Sequence, residues 1–138
     1  FGRCLHQIGT IPVARGKADV QSIKSIFKVL KNQQATAIFP EGTRSMDGQL
    51  KEPEAGIGMI ALKTKATVVP TRIFGAFEAF GRNNKLPRLG IHIHVSYGKP
   101  LTYAELNQGE AGENSYLAAS KKIMLAIQAL HPPKEIII

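Results

Sequence analysis

Apolar positions recur along this chain at two spacings, one typical of helices and one typical of strands. Residues that repeat every three or four positions predict amphipathic helices, each with one apolar face. The predicted helices run from Asp19, a good N-cap, to about Asn32, from about Glu54 to Lys63, and from Leu117 to Leu130, with the end of a further helix at Phe1 to Ile8. Short β-rich runs predict strands at Thr10–Val13, Ala35–Phe39, Thr67–Phe74 and Ile91–Tyr97. Helices that alternate with strands are typical of an α/β domain with a mostly parallel sheet layered with helices.

Two of the predicted strands carry features that limit where they lie in a sheet. Pro70 stands inside the run Thr67–Phe74, and because proline cannot donate to a ladder it predicts an edge strand or a bulge. In Ile91–Tyr97, apolar residues alternate with His92 and His94. This alternation predicts a half-buried strand whose histidines point outward, and the last helix is expected to cover the sheet.

The stretch from Gly75 to Gly90 contains glycine, asparagine and proline and predicts a loop. The large apolar residues in this stretch or just before it are Phe74, Phe77 and Phe80, and burial is the default expectation for their side chains. A hydrophobic rim near an acyl chain or a bilayer is the alternative. A second polar stretch, Asn107 to Asn114, predicts a linker before the last helix.

Composition narrows the class of protein and of partner. The 138 residues suit one globular unit, and 43% hydrophobic with 20% charged residues is typical of an ordered segment. Eighteen Lys and Arg against ten Asp and Glu give a net charge of +8, which leaves nucleic acid, anionic lipid and phosphorylated substrates open as partners. The single cysteine, Cys4, excludes an internal disulfide. The longest apolar stretch, Ala55 to Leu62, is too short to span a bilayer.

One heptapeptide, residues 39–45, joins the end of a predicted strand to a turn with anion-binding composition. Its sequence is Phe-Pro-Glu-Gly-Thr-Arg-Ser. Pro40 ends the strand, and Gly42 can adopt backbone angles that a Cβ forbids. Exposed backbone N–H groups of Gly42 and Thr43, beside the planar guanidinium of Arg44, suit a phosphate held by two parallel N–H···O bonds.

This heptapeptide resembles the third signature block of the glycerolipid acyltransferases, the family that contains lysophosphatidic acid acyltransferase and glycerol-3-phosphate acyltransferase. Two weaker blocks stand in the family's order. Residues 11–16, Ile-Pro-Val-Ala-Arg-Gly, resemble the second block, and residues 68–73, Val-Val-Pro-Thr-Arg-Ile, resemble the fourth. The resemblance covers roughly residues 1 to 105 and implies a glycerol-3-phosphate acyltransferase-like α/β fold.

The family's first block, a histidine followed five positions later by an aspartate, carries its general base. Five residues after His6, His92, His94 and His131 stand Ile11, Tyr97, Lys99 and Ile136, and none of these is aspartate. We therefore expect no catalytic residue in this chain and expect the chain alone to be inactive. We interpret residues 1–138 as a single partial acyltransferase domain, the C-terminal portion of a larger catalytic domain.

The resemblance implies transfer of a fatty acyl group to the hydroxyl of a lysophosphatidate-type acceptor in phospholipid biosynthesis. Acyl-CoA or acyl carrier protein would be the donor and co-substrate, with no other cofactor and no metal. The implied acceptor-binding residues are Arg15 and Arg44 on the phosphate, Gly42 and Thr43 through main chain and hydroxyl, and Glu41, which shapes the turn or bonds the glycerol. Val69 and Pro70 are implied for the acyl-donor region.

The expected partners are therefore lysophosphatidate or a related glycerophosphate, the acyl donor, and an anionic membrane surface on the cytoplasmic side. No nucleic acid is expected, because the chain lacks an evident recognition helix or aromatic stacking pattern. A non-catalytic module that binds phosphate or a lipid surface is the alternative function. The segment Gly56–Ala61 has the glycine spacing of a dinucleotide fingerprint, but no strand precedes it, so its glycines are expected to serve close helix packing.

Overall fold

The computed structural model describes residues 10–11, 20–82, 84–107 and 113–132. The chain divides into two units, Phe1–Ala37 and Ile38–Ile138. The first unit contains helix α1 (Val20–Lys31), and the second contains α2 (Ala55–Thr64), β1 (Thr71–Phe74), α3 (Ala76–Phe80), β2 (His94–Tyr97), α4 (Tyr103–Leu106) and α5 (Glu113–Gln128). The single partial domain over residues 1–138 stays a prediction.

Helix α1 confirms the predicted amphipathic helix of the first unit. Most of its apolar side chains are half-buried, whereas its lysines are exposed. Gln33 follows the helix with a φ of 57°, and the N–H of Gln34 donates to the carbonyl of Val29 at 3.1 Å, so a carbonyl of the last turn is satisfied. The predicted strand at residues 10–13 lies mostly outside the described residues, as do Asp19 and the predicted helix end at residues 1–8.

The core of the second unit lies where α2 packs on α5, which confirms both of these predicted helices. Its buried apolar residues are Ala61 of α2, Leu106 of α4, and Ala119, Ile123, Met124 and Ile127 of α5. The α5 residues recur at helical spacing and therefore share one face of that helix. Burying an isoleucine or methionine side chain completely stabilises a fold by about 1.5–3 kcal/mol, so the helix pair is the main source of stability in this unit.

Helices α2 and α5 approach closely at Gly58. The N–H of Gly58 donates to the Oγ of Ser120 at 2.9 Å, and Ser120 is completely buried. A Cβ on Gly58 would collide with the carbonyl oxygen of Tyr116, whereas a Cβ on Gly56 would meet open space. The expectation that a glycine of this segment allows close helix packing is confirmed at Gly58 and does not apply to Gly56.

Strands β1 and β2 form a two-stranded antiparallel sheet in which Thr71 pairs with Tyr97 and Ile73 with Val95. The mostly parallel sheet is therefore not confirmed for the described residues. The connection between β1 and β2 contains the five-residue helix α3 followed by a loop. The predicted strand at Ala35–Phe39 has no ladder partner among the residues that the structure describes.

The register of the sheet changes next to Pro70. An isolated bridge pairs Val68 with Leu101 beyond the end of the ladder. Two residues separate Val68 from Thr71. Three residues separate Tyr97 from Leu101, so the strand opposite Pro70 carries one extra residue, which is a β-bulge. A bulge was one of the two features that the proline predicts, and its extra residue lies on the partner strand.

Burial of the sheet differs from the prediction of a half-buried strand at residues 91–97. His94 is exposed as predicted, but Val95 and its cross-strand partner Ile73 are also about half exposed. Residues that pair across a sheet share one face, so this apolar face is open in the described part of the chain. The alternation in the sequence identified the two faces correctly but not which of them is covered.

The other face of the sheet is tied to the end of α5 by polar contacts. Nη1 of Arg72 donates to the carbonyls of Gln128 and Leu130 at 3.1 and 3.2 Å. Oγ of Ser96 donates to the carbonyl of His131 at 2.9 Å. A cation beside the last carbonyls of a helix offsets the negative end of the helix dipole. Helix α5 thus reaches the sheet through its end, rather than covering it with its apolar face as predicted.

Two short helices were not predicted from the sequence. Helix α3 lies inside the predicted loop 75–90, and its Phe77 and Phe80 are partly exposed rather than buried. Helix α4 begins with a capping box, in which the N–H of Thr102 donates to Oε2 of Glu105 at 2.8 Å. Hydrogen bonds from the backbone N–H and the hydroxyl of Thr102 lower the pKa of the Glu105 carboxyl.

The close approach at Gly58 predicts different effects for two similar substitutions in α2. Gly58→Ala should lower the free energy of unfolding by about 1–3 kcal/mol, because the new methyl group forces the helices apart. Gly56→Ala is the matched control and should be neutral or stabilise by up to about 1 kcal/mol, because alanine favours helix. Urea denaturation followed by circular dichroism measures both. Equal effects of the two substitutions would contradict the packing role of Gly58.

Candidate functional site

The predicted anion-binding heptapeptide begins a closed loop that ends at the start of α2. The N–H of Glu54 donates to the carbonyl of Pro40 at 3.0 Å. Inside this closure, the N–H of Lys51 donates to Oε2 of Glu41 at 2.9 Å. We call residues 40–54 the motif loop. Because two hydrogen bonds join its two ends, the loop is attached directly to the rigid helix pair of the core.

A four-residue turn from Phe39 to Gly42 opens the motif loop. The N–H of Gly42 donates to the carbonyl of Phe39 at 3.2 Å, with Pro40 at the second position, which proline favours. This corrects the expectation that the N–H of Gly42 faces a phosphate, because the turn uses that donor. Gly42 has a φ of 66°, and a Cβ there would lie 2.9 Å from Oε1 of Glu54, so this position requires glycine.

Thr43 and Arg44 follow the turn and are exposed. Within the described part of the chain, neither residue makes a hydrogen bond or an ion pair. The carboxylate of Glu54 lies beside Gly42 and disfavours an anion there. The guanidinium of Arg44 is planar and always charged, and its donors suit a phosphate or a carboxylate. Within the motif loop, Thr43 and Arg44 are therefore the residues best placed to bind an anion.

A second turn follows the heptapeptide and is organised by Asp47. Its Oδ1 accepts hydrogen bonds from the N–H of Gln49 and from Oγ of Ser45, each at 3.0 Å. These two bonds lower the pKa of the Asp47 carboxyl because they stabilise its charged form, and the bond from Gln49 has the larger effect. The side chain of Asp47 is thus a fixed negative charge of this turn at neutral pH.

An open depression of about 360 Å³ lies between this second turn and α3. Its lining residues are Met46, Asp47, Gly48, Gln49, Phe77, Glu78, Gly81, Asn84 and Arg88. Two carboxylates and one guanidinium with few apolar side chains do not suit an acyl chain. The depression therefore offers polar contacts beside the motif loop rather than a hydrophobic channel.

The other predicted site residues are Arg15, Val69 and Pro70. Among the described residues, no hydrogen bond joins Val69 or Pro70 to the motif loop. Arg15 lies outside those residues. Pro70 is completely buried, and its carbonyl accepts from the N–H of Gly98 at 2.8 Å, so its ring packs inside the fold and is closed to a donor molecule. Val69 is about half exposed and is the member of the pair whose side chain a ligand can reach.

The described residues contain neither a metal-binding group nor a membrane-spanning helix. His92 and His94 lie on the surface with ring centroids 6.4 Å apart. No group of three or more histidine, cysteine, aspartate or glutamate side chains in the described ranges could hold a metal ion. Within the same ranges, no helix has both the length and the apolar character needed to cross a membrane.

The sequence pattern missed two parts of the motif loop. Glu54 was identified only as a helix start, although its N–H closes the loop and its carboxylate lies beside Gly42. The backbone of Lys51, which bonds Glu41, was not identified at all. No signal in the sequence reveals the bond of Lys51, because it uses only a main-chain N–H that every residue except proline has.

A comparison with family models matches residues 1–74, more than half of the chain, to the family described as Acyltransferase. The chain belongs to this acyltransferase family. The matched residues include the whole motif loop, and the resemblance to glycerolipid acyltransferases is confirmed.

Curated relatives agree with this assignment. A 1-acyl-sn-glycerol-3-phosphate acyltransferase of Bacillus subtilis (strain 168) is 34% identical over 106 residues, which are 76% of this chain and 49% of that protein. A chloroplastic enzyme of the same name from Arabidopsis thaliana is 34% identical over 77 residues, 54% of this chain and 22% of its own length. The enzyme of Cocos nucifera is 38% identical over 85 residues, 61% of this chain and 27% of its own. The chain thus spans less than half of these acyltransferases.

A solved structure shares the fold. The crystal structure of the 1-acyl-sn-glycerophosphate acyltransferase PlsC from Thermotoga maritima superposes with a TM-score of 0.59 at 23% identity, covering 79% of this chain and 42% of that protein. The likeness places this acyltransferase chain in a fold of mixed helices and a small sheet.

The hydrogen bonds of Asp47 predict how the turn responds to pH. A lowered pKa means that the folded turn is stabilised at neutral pH and loses this contribution as the pH falls through the lowered pKa. Ser45→Ala removes one donor and should move the titration midpoint of Asp47 upward, toward the ordinary value. Ser25→Ala is the control, since Ser25 donates to a backbone carbonyl in α1 and to no carboxylate. An unchanged midpoint in Ser45→Ala, measured by NMR of the carboxyl carbon, would contradict the assignment.

Proposed function

We propose that the complete protein transfers a fatty acyl group from acyl-CoA or acyl carrier protein to the hydroxyl of a lysophosphatidate-type acceptor in phospholipid biosynthesis. The proposal is supported by the family assignment and by relatives named 1-acyl-sn-glycerol-3-phosphate acyltransferase. The observation that carries it for this chain is the closed motif loop, which presents Arg44 without a partner among the described residues.

In the proposed reaction the acceptor hydroxyl attacks the carbonyl carbon of the thioester. The new C–O bond forms, the C–S bond breaks, and the thiol of the donor leaves. As the resemblance implies, a histidine upstream of this chain, oriented by an aspartate, takes the hydroxyl proton and then gives it to the leaving thiolate, which departs as the thiol. The present chain positions the acceptor, and positioning alone can lower such a barrier by several kcal/mol.

The residues of the motif loop have separate roles in this proposal. Arg44 binds the acceptor phosphate, together with the hydroxyl and N–H of Thr43 and, outside the described residues, Arg15. Gly42 allows the turn that directs these groups. Glu41 closes the loop because its Oε2 accepts the N–H of Lys51. We propose that its other carboxylate oxygen accepts a hydrogen bond from the glycerol. We assign Val69 to the acyl-donor region.

The complete protein is further proposed to work on the cytoplasmic side of a membrane, because its acceptor is a lipid, and to need no cofactor besides the acyl donor. A mostly parallel sheet is proposed for the complete domain. The alternative function is a non-catalytic module that binds phosphate or a lipid surface. This alternative is favoured by the sequence of this chain, because no histidine in it is followed five residues later by an aspartate. An upstream histidine-aspartate block would exclude that alternative.

Two substitutions of Arg44 test the phosphate site. In the complete protein, Arg44→Ala should raise the KM for the acceptor by about ten- to hundred-fold, because charged hydrogen bonds to the phosphate are lost. Arg44→Lys should restore little of this loss, since lysine lacks the planar pair of donors. Lys121→Ala, at an exposed position of α5, is the control. Steady-state kinetics in which Arg44→Lys equals the parent at all acceptor concentrations would refute the bidentate contact.

The chain of residues 1–138 by itself is expected to lack acyltransferase activity, because it has no histidine with an aspartate five residues later. General-base catalysis contributes about two to four orders of magnitude to such a rate. The measurement compares acyl transfer by residues 1–138 with transfer by the protein extended upstream, after circular dichroism has checked folding. Comparable turnover by the two would place the base within this chain, at His6, His92 or His94.

A further inference from the structure

The loop between α3 and β2 exposes large apolar side chains. Leu86 is 78% exposed and Leu89 is 92% exposed, more than any other large hydrophobic residue that the structure describes. We call residues 84–91 the leucine loop. Single exposed leucines are common on protein surfaces, but two almost fully exposed leucines within four positions form a contact surface that water does not favour.

The leucine loop is attached to the fold at a defined point between these leucines. The N–H of Arg88 donates to the carbonyl of Ala79 in α3 at 2.7 Å. A second bond, from the N–H of Asn84 to the carbonyl of Gly81, holds the start of the loop at 3.0 Å. Leu86 and Leu89 stand on either side of the Arg88 anchor, so both are presented together.

The charged side chains within the leucine loop itself are all positive. Arg82, Lys85 and Arg88 are exposed within or beside it. From residue 79 to residue 104 the chain contains four lysines and arginines and no aspartate or glutamate. The carboxylate that comes closest in sequence is Glu78 on α3, which lines the polar depression together with Arg88. The loop therefore combines exposed leucines with a local excess of positive charge.

The apolar character continues from the leucine loop into the sheet. Ile91, the last residue of the loop, and Ile93 beyond it are partly exposed. They precede Val95, which pairs with Ile73 on the open face of β1 and β2. An apolar strip bordered by cations thus extends from the loop to the sheet.

We propose that the leucine loop inserts into the interface of an anionic lipid bilayer, with its basic side chains at the headgroups. Burying these leucines against another protein segment would bring Lys85, which has no ion-pair partner among the described residues, into an interface, and burying an unpaired charge is costly. An anionic bilayer supplies both an apolar layer for the leucines and negative charge for the cations. The chemistry of the loop thus favours a lipid surface over a protein partner. This contact does not depend on acyl transfer.

Vesicle binding by the complete protein tests the proposal. The vesicles contain phosphatidylcholine with or without phosphatidylglycerol, and co-sedimentation gives the partition coefficient. Leu86→Ala combined with Leu89→Ala should weaken binding at least about tenfold at low and high salt alike, because less apolar surface enters the bilayer. Lys85→Ala combined with Arg88→Ala should weaken binding about fivefold per charge on phosphatidylglycerol vesicles, and this effect should fade at high salt.

The matched control combines Leu125→Ala with Lys121→Ala, at exposed positions of α5, where Leu125 is 64% exposed. This pair should leave vesicle binding unchanged. Unchanged binding in the loop variants would overturn the proposal. A lowered melting temperature of the leucine variant together with unchanged binding would also overturn it, because the leucines would then pack against another part of the polypeptide.

A fluorescent reporter tests the location directly. This chain contains no tryptophan, so Leu89→Trp adds an indole at the loop, and the spectrum is taken as the difference from the parent protein. Its emission should shift to shorter wavelength with phosphatidylglycerol vesicles, whereas that of Leu125→Trp should not. No shift at Leu89, or equal shifts at both positions, would refute insertion of the loop. Turnover on a water-soluble, short-chain acceptor is measured separately, so a failure of the acyltransferase proposal is distinguished from a failure of this one.

Discussion

The close contact of α2 with α5 at Gly58 is the constraint on which the second unit depends. Only a hydrogen atom fits where Gly58 meets the carbonyl of Tyr116, and the buried hydroxyl of Ser120 binds the N–H of Gly58. The apolar core lies along this contact. Because the motif loop ends at Glu54, immediately before α2, the position of the residues proposed to bind the acceptor phosphate follows from the packing of two helices far apart in the sequence.

Helices with a long apolar face were predictable, because their spacing is local information. The predicted helices at residues 19–32 and 54–63 match α1 and α2 closely. The sheet was less predictable, since strand pairing joins residues far apart in the sequence, and burial depends on what covers each face. Val95 shows this: it belongs to an alternation typical of a half-buried strand, yet the face that it shares with Ile73 is the open one. Helix α4 has four residues, which is too short for a periodic signal.

The candidate site was predictable as a motif and less so as a geometry. The heptapeptide identified the loop, the family and Arg44. The structure adds that the N–H of Gly42 is used within a turn and that the carboxylate of Glu54 lies beside it. Neither contact leaves a trace in the sequence, because one is a main-chain bond and the other joins residues twelve positions apart. Pro70, assigned by resemblance to the donor region, proves to be a packed core residue.

The two-stranded sheet has a consequence for how this chain behaves in concentrated solution. In the described residues each strand has one edge without a ladder partner, and such edges are templates for pairing with another chain. The half-exposed, β-branched pair Ile73 and Val95 adds an apolar face to those edges. Beyond the end of β2, Pro100 interrupts the free edge, because proline lacks the N–H that an added strand would need. Strand addition at the edge of β2 would therefore stop at Pro100, and it would increase with protein concentration.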